Sequence, residues 1–446
     1  MFMGFLTLIF FVYLFYNKNL PPVILFSCFF QWLYMQGQLL DGLLKGITIS
    51  KLDYVSYTKA DVTFLGLIGT LLFFLGIYIV IRKVPVLAPV SFNNFLLSIR
   101  LHRLVRLYIL IYIFLFLAGS LVWLFPGLSQ PLYVLTYFRW SIFFLLFCAV
   151  FVHDKQKGTL LLIILVEIGL SFVSFFSTFK EVIYFSFLAY WIFYFRSSMF
   201  SRTSAMALIL VTIYLGALWT TVKEDYRNFL NKGSGVQAVL TTRGAAYSKL
   251  LQLTSEVEDK DISQGFNALI DRMSIVGIFD AVYKRVPQKV PYEQGELWLN
   301  GITRPFMPRL FFPNKKVLTD SKELNYYSNL NIDEKSTSVS LSMMAGSYVD
   351  FGKWGMHVPL FLFGLFCGWI FMKAMRWGGH PVVGYALTMP MIYLLHINEE
   401  SINRVVSSIV LYFLVLWFIK SFGLKTFMQY ITETGSVKPI TLTPKV

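Results

Sequence analysis

The chain has 446 residues, of which 56% are hydrophobic, 18% aromatic and only 14% charged, with a formal net charge of +15. Soluble domains carry about 25% charged residues, and apolar stretches of bilayer-crossing length recur throughout, so a soluble enzyme is excluded and a polytopic membrane protein is implied. Runs such as residues 67–80, LIGTLLFFLGIYIV, lack the alternation of a membrane barrel. The three cysteines (Cys28, Cys148, Cys367) lie in apolar spans and imply neither a disulfide framework nor a metal site.

In chain order, the apolar segments are Phe2–Tyr16, Pro21–Leu40, Val62–Ile81, Leu104–Phe125, Pro131–Val152, Thr159–Phe176, Ser177–Phe195 and Ser204–Val222. Phe2–Tyr16 is as short as a signal peptide but has no basic start and no small-residue cleavage site, so it reads as a helix. A long polar stretch follows, Lys223–Lys353, and then come Met356–Met372, Val382–His396 and Val405–Phe422. The expected architecture is all-α, with about eleven transmembrane helices. Residues 1–222 form about eight helices, 223–355 one large loop, 356–422 about three helices, and 423–446 a tail.

The polar stretch holds 17 basic and 15 acidic residues, so most of the positive excess lies in short loops elsewhere. Arg82, Lys83, Arg100, Arg103 and Arg106, then Lys155 and Lys157, then Arg196 and Arg202, then Lys373 and Arg376 fall in alternate loops, and Lys425 and Lys438 in the tail. That is positive-inside topology rather than a nucleic-acid groove. It places the N-terminus and the large loop outside and the C-terminus in the cytoplasm. Within the loop, 263–286 has the spacing of one amphipathic helix, and the prolines and glycines from Pro287 to Pro313 forbid regular helix after it.

Several ionisable residues fall where chemistry is expected. Arg139 lies about eight residues inside a span, Glu167 near mid-membrane, and Lys180 and Glu181 in a first helical turn. Glu399, Glu400 and Arg404 sit between the last two spans. Snorkelling, or neutral Lys180–Glu181 and Glu400–Arg404 pairs, is the plainer reading of these groups. The run Arg304-Pro-Phe-Met-Pro-Arg309-Leu-Phe-Phe-Pro-Asn-Lys315-Lys316 sets cations among prolines and aromatics, a pattern suited to phosphate oxygens. Arg272 sits on the amphipathic helix. His357 and His396 are the histidines expected outside.

On these residues the chain resembles the Wzy-type polymerases of O-antigen, capsule and related polysaccharides. The resemblance rests on the helix layout, on Pro308-Arg309-Leu-Phe-Phe-Pro313-Asn-Lys315 followed by Ser336–Ser342 and Gly346–Gly355, and on single matches at Arg139, Lys180, Arg272 and Glu399. It implies a GT-C-like fold in a bacterial inner membrane. The implied activity is metal-independent glycosyl transfer, without cofactor, between polyprenyl-diphosphate-linked oligosaccharides at the outer face. Arg309, Lys315, Arg272, Glu399 and Asp350 are then the catalytic candidates. Arg139, Lys180, Arg304 and Lys316 are the diphosphate-binding ones, and the base stays open between Asp350, Glu399 and Glu400. Expected partners are the lipid-linked oligosaccharide, membrane lipids, and a chain-length regulator and flippase of the same pathway; nucleic acid is not one. An O-antigen ligase, with His357 as its histidine, is the close rival, and a transporter of the same lipid is a more distant one.

Overall fold

The computed structural model describes residues 2–17, 22–46, 57–82, 84, 89–121, 129–172, 179–194, 199–235, 239–272, 275–307, 312, 320–333 and 339–432. Among them the fold is all-helical, with a single isolated β-bridge between Ile99 and Thr432. The first half consists of α1 (Phe2–Phe15), α2 (Val23–Leu44), α3 (Tyr57–Ile81), α4 (Pro89–Leu97), α5 (Leu101–Leu121), α6 (Ser129–His153), α7 (Lys157–Ser171), α8 (Phe179–Tyr194) and α9 (Met199–Leu230). The polar stretch supplies α10 (Arg243–Ser255), α11 (Asp259–Arg272), α12 (Val276–Arg285), α13 (Glu296–Thr303), α14 (Asp320–Ser328) and α15 (Met343–Gly355). The chain ends in α16 (His357–Trp377), α17 (Pro381–Thr388), α18 (Met391–Leu394), α19 (Ile402–Phe418) and α20 (Leu424–Ile431).

Among the described residues, seven helices are long and apolar enough to cross a membrane: α2, α3, α5, α6, α9, α16 and the run from Ile402 to Ile431. Two shorter apolar helices are α1 and the α17–α18 pair, which breaks at Pro390 because proline has no N–H to continue the ladder. The apolar window of α6 is 72% buried inside the protein and that of α9 only 11%. Helix α6 is thus the centre, and α5 and α9 are rim helices that expose Ile113, Phe114, Leu210 and Tyr214. Such apolar faces suit a lipid surround.

The closest helix pair is α3 with α16, and glycine makes it possible. A Cβ on Gly364 would stand 2.1 Å from the Phe73 carbonyl oxygen, one on Gly76 2.6 Å from the Phe361 carbonyl, and one on Gly368 2.9 Å from the Ile77 carbonyl. Gly364 and Gly368 form a G-x-x-x-G pair, the spacing that lets two backbones touch where lipid gives no hydrophobic drive to associate.

Two turns mark the ends of the bundle. At one, Arg100 N–H donates to the Ile431 carbonyl (2.7 Å), the Arg103 guanidinium donates to the Tyr430 carbonyl (3.0 Å), and Phe95 stacks on His380. The basic turns around Arg100, Lys155 and Arg376 therefore share one end, as the charge pattern predicts. At the other end the 395–401 turn meets α2, α3 and α15.

Two details of the polar stretch depart from expectation. The single helix predicted over 263–286 is two: α11 packs on α9, whereas α12 packs on α3, α14 and α15, so the halves serve different neighbours. The proline-rich run also admits α13, because no proline falls between Gly295, which starts it at φ 98°, and Arg304.

The Gly364→Ala variant is expected to lower the melting temperature in detergent, since backbone atoms cannot yield and overpacking costs about 1–3 kcal/mol. Gly158→Ala, where a Cβ meets nothing within 4 Å, is expected to leave it unchanged.

Candidate functional site

The site is built on the 395–401 turn, and Asn398 positions that turn. Its backbone N–H donates to Gln31 Oε1 (2.9 Å), and its amide donates to the Gln31 carbonyl (3.0 Å) and to Thr70 Oγ1 (3.2 Å). Buried amides need such partners, so the turn is locked between α2 and α3. From the other side α15 docks its first turn, with Met343 N–H donating to the Glu400 carbonyl at 2.7 Å. Ser401 then caps α19 by accepting from Arg404 N–H.

The turn presents three functional groups. Glu399 accepts from Tyr34 O–H through Oε1, and its Oε2 lies 2.8 Å from His396 Nδ1. Glu400 Oε2 pairs with Arg404 at 3.2 Å. Arg404 reaches onward to Asp320 at the start of α14, which ties the polar stretch to the membrane helices. Burial alone would push the His396 imidazole down, but the charge and hydrogen bond of Glu399, with Glu400 behind it, hold it above the usual histidine value. Burial would push Glu399 up, yet His396, Tyr34 and Lys180 hold it below the usual carboxylate range. At Glu400 burial wins, and Asp320 and Glu399 add to it, so that carboxyl stands above its ordinary value despite Arg404. Two adjacent carboxylates are thus driven in opposite directions.

Beneath this turn lies a buried ionic group. Arg139 is ten residues inside α6 and has a 17% exposed side chain. Its guanidinium pairs with Glu167 of α7 at 3.4 Å and Glu181 of α8 at 4.0 Å, and sits 4.5 Å from the Trp140 ring centroid and 5.4 Å from that of Tyr112. Tyr108 O–H donates to Glu167, and Trp140 Nε1 donates to Glu181 at 3.3 Å. A charge at such depth requires partners of this kind. The Tyr137 and Tyr393 rings, stacked at 4.8 Å, and His396, 6.2 Å from Tyr393, link the two groups.

The structure brings together Arg139, Lys180 and Glu399 of the residues proposed from sequence. Lys180, exposed on the first turn of α8, acts electrostatically on both His396 and Glu399. Glu181 turns to Arg139 rather than to its neighbour Lys180, whereas the Glu400–Arg404 pair is present. Arg304 begins a short turn, Arg304–Phe306, packed on α19. Asp350 is placed elsewhere: it is buried in α15 and accepts from the N–H groups of Leu297 (3.1 Å) and Trp298 (2.9 Å), capping α13. Burial raises its carboxyl above the ordinary value. His357, also buried, begins α16 and its two ring nitrogens meet no hydrogen-bond partner among the described residues. Arg272 ends α11, with its side chain outside the described residues; Arg309, Lys315 and Lys316 lie outside them altogether.

Tyr34, Asn398 and Asp320 were not among the candidates from sequence; His396 was expected outside, without its link to Glu399. The signals for His396 were its place at the outer end of a span and an acid three residues further on. Among the described residues no three His, Cys, Asp or Glu side chains converge as metal ligands do.

In comparison with known proteins, residues 60–429 match a family described as Domain of unknown function (DUF8712). No curated protein and no solved structure matches the chain.

Two outcomes are expected. Arg139→Ala should destabilise by about 3–5 kcal/mol, because it leaves two buried carboxylates uncompensated; adding Glu167→Gln and Glu181→Gln should recover much of the loss in a detergent melt. For the turn, His396 is raised, so its stabilising share is full below its ordinary value of 6.5 and is lost as pH rises through the folded value. Glu399 is lowered, so its share is present above 4.5 and is lost as pH falls through the folded value. The stability gap between wild type and His396→Gln should therefore shrink as pH rises from 6.5 through the raised folded value.

Proposed function

We propose that this chain, which belongs to the DUF8712 family, is a membrane glycosyltransferase that polymerises polyprenyl-diphosphate-linked oligosaccharide repeat units into a surface polysaccharide. The observation that carries the reading is the meeting of His396, Glu399, Glu400, Arg404 and Lys180 at one end of the bundle, against Asp320 and the Arg304 turn of the polar stretch. Such a transfer needs three things at the membrane surface: a carboxylate to take the acceptor hydroxyl proton, cations for the leaving diphosphate, and surfaces for sugars. The resemblance to the Wzy-type polymerases supports the same reading, as does the positive-inside pattern, with eleven crossings, the N-terminus outside and the site at the outer face of a bacterial inner membrane.

Within this reading Glu400 is the general base. A base works best when its affinity for the proton lies near the operating pH, and Glu400 is the carboxylate of the turn that burial pushes upward. Glu399, engaged through both oxygens, favours the charged form of His396 and orients its ring. The acceptor hydroxyl attacks the anomeric carbon, the carbon–oxygen bond to the lipid diphosphate breaks, and the bonding pair leaves with the diphosphate. Arg304, Arg309, Lys315 and Lys316 are the cations assigned to that charge, with Lys180 at the edge of the site and Arg272 on the helix before it. Asp350 holds α13 in place rather than taking the proton.

Deleting the protein in its host and resolving the surface glycan on a gel tests the proposal. Loss of the length ladder with single repeats still attached is expected. Loss of all attached glycan points to the ligase or to transport, and an unchanged ladder overturns the proposal. Glu400→Gln should abolish the ladder as deletion does, since removing a general base costs about a hundredfold or more in rate. His357→Ala should keep it; the reverse pattern would favour the ligase.

A further inference from the structure

The opposite end of the bundle carries a second charged feature, independent of the proposed transfer site. A cavity of about 410 Å³ opens between the start of α5 and the α6–α7 turn, lined by the cations Arg100 and Lys155 and by His102 and His153. The lining contains no carboxylate. The nearest acid in sequence, Asp154, is paired with Lys157 instead. Leu97, half exposed, and buried Leu101 supply an apolar wall. Arg100 is fixed through its backbone by Ile431, and His153 Nε2 lies 2.9 Å from the Leu96 carbonyl, so the walls are braced rather than loose.

The position narrows the ligand. Leu101 and His153 are the ends of two candidate membrane spans, Leu101–Ala118 and Leu132–His153. The cavity therefore stands where a bilayer changes from hydrocarbon to headgroups. Its cations suit phosphate oxygens, arginine by its planar fork and lysine as a compact charge. Two long helices also begin at its rim, α5 and α7, neither with an acid in its first turn, so both positive helix ends add to the same field. Basic pockets between transmembrane helices hold anionic lipid headgroups for these reasons.

We propose that this cavity binds an anionic phosphate group, supplied by the headgroup of an acidic phospholipid in the adjoining leaflet. The lipid's phosphate meets Arg100 and Lys155, and its glycerol and upper chains meet Leu97 and Leu101.

Delipidated full-length protein in detergent tests this, with phosphatidylglycerol, phosphatidylcholine of the same acyl chains, and millimolar inorganic phosphate as probes. Lipid retention is read by native mass spectrometry and stabilisation by thermal melting. Phosphatidylglycerol is expected to be retained at least tenfold better than phosphatidylcholine, with the preference lost in Arg100→Gln/Lys155→Gln. A full shift from inorganic phosphate alone would keep the phosphate chemistry and reassign its source to a soluble ion. Equal retention of both lipids, or a double variant with the wild-type preference, overturns the proposal. Lys373→Gln alters a cation beyond the cavity that lies over Trp369 and Trp377; if it abolishes the preference as well, diffuse surface charge is responsible and the cavity is not. Should the double variant fail to fold, Lys155→Gln, a change at an exposed side chain, is expected to lose the preference severalfold, and its retention overturns the proposal equally.

Discussion

A guanidinium ten residues inside a membrane helix stands about 15 Å from the helix start at the usual helical rise, and it can persist there only if its charge is answered locally. Arg139 is answered by Glu167 and Glu181, which come from α7 and α8, while Tyr108 of α5 completes the hydrogen bonding of Glu167. One charge therefore fixes the relative placement of four helices. Burying these ions costs more than burying hydrophobic side chains of the same volume. The group therefore contributes position and specificity rather than net stability. It gives the site above it a polar floor whose geometry is set by charge pairing.

The turn above that floor is held by a different means. Asn398 fastens it to α2 and α3 by neutral hydrogen bonds, and α15 closes it from the polar stretch. Gly301 and Gly346 both sit against Ile402, where a Cβ would stand 2.7 Å and 3.0 Å from its side chain, so α13 and α15 approach the start of α19 closely. Asp350 joins α13 to α15 in the same region. The polar stretch is accordingly anchored at several points beside Glu399 and Glu400.

The seven long apolar helices were legible because a bilayer crossing leaves a long apolar run. The charged residues were legible as exceptions to that background: Arg139 and Glu167 interrupt apolar runs, and Glu400 and Arg404 stand at the i,i+4 spacing that meets on a helix. Their other partners were not legible. Lys180 and Glu181 are adjacent in sequence, but consecutive helical residues point apart, so Glu181 was available for a helix 40 residues away. Asp350 resembles any other polar-stretch acid until Leu297 and Trp298, more than 50 residues earlier, fold against it. Asn398 is one polar residue among several in its turn by sequence, while its work is the anchoring of that turn. The break between α11 and α12 was hidden because both halves share one amphipathic period while packing on different helices.

Charge balance then divides the labour of the proposed site. Arg139 faces two carboxylates, Arg404 two more, and His396 one. A diphosphate approaching these cations would have to displace carboxylates already at ion-pairing distance, and in a low-dielectric setting that exchange gains little. Paired acids and aromatic rings of this kind suit sugar hydroxyls and a proton in transit better than a multiply charged anion. The run from Arg304 to Lys316 carries four cations and no acid, and its first turn rests on α19, the helix that begins beside Glu400. In the proposed transfer the diphosphate is therefore assigned to that run, and the acceptor sugar to the turn and the tyrosines below it. Under that proposal the large polar stretch and the helix ends are unlike halves of one site, with anion recognition assigned to the first and proton transfer to the second.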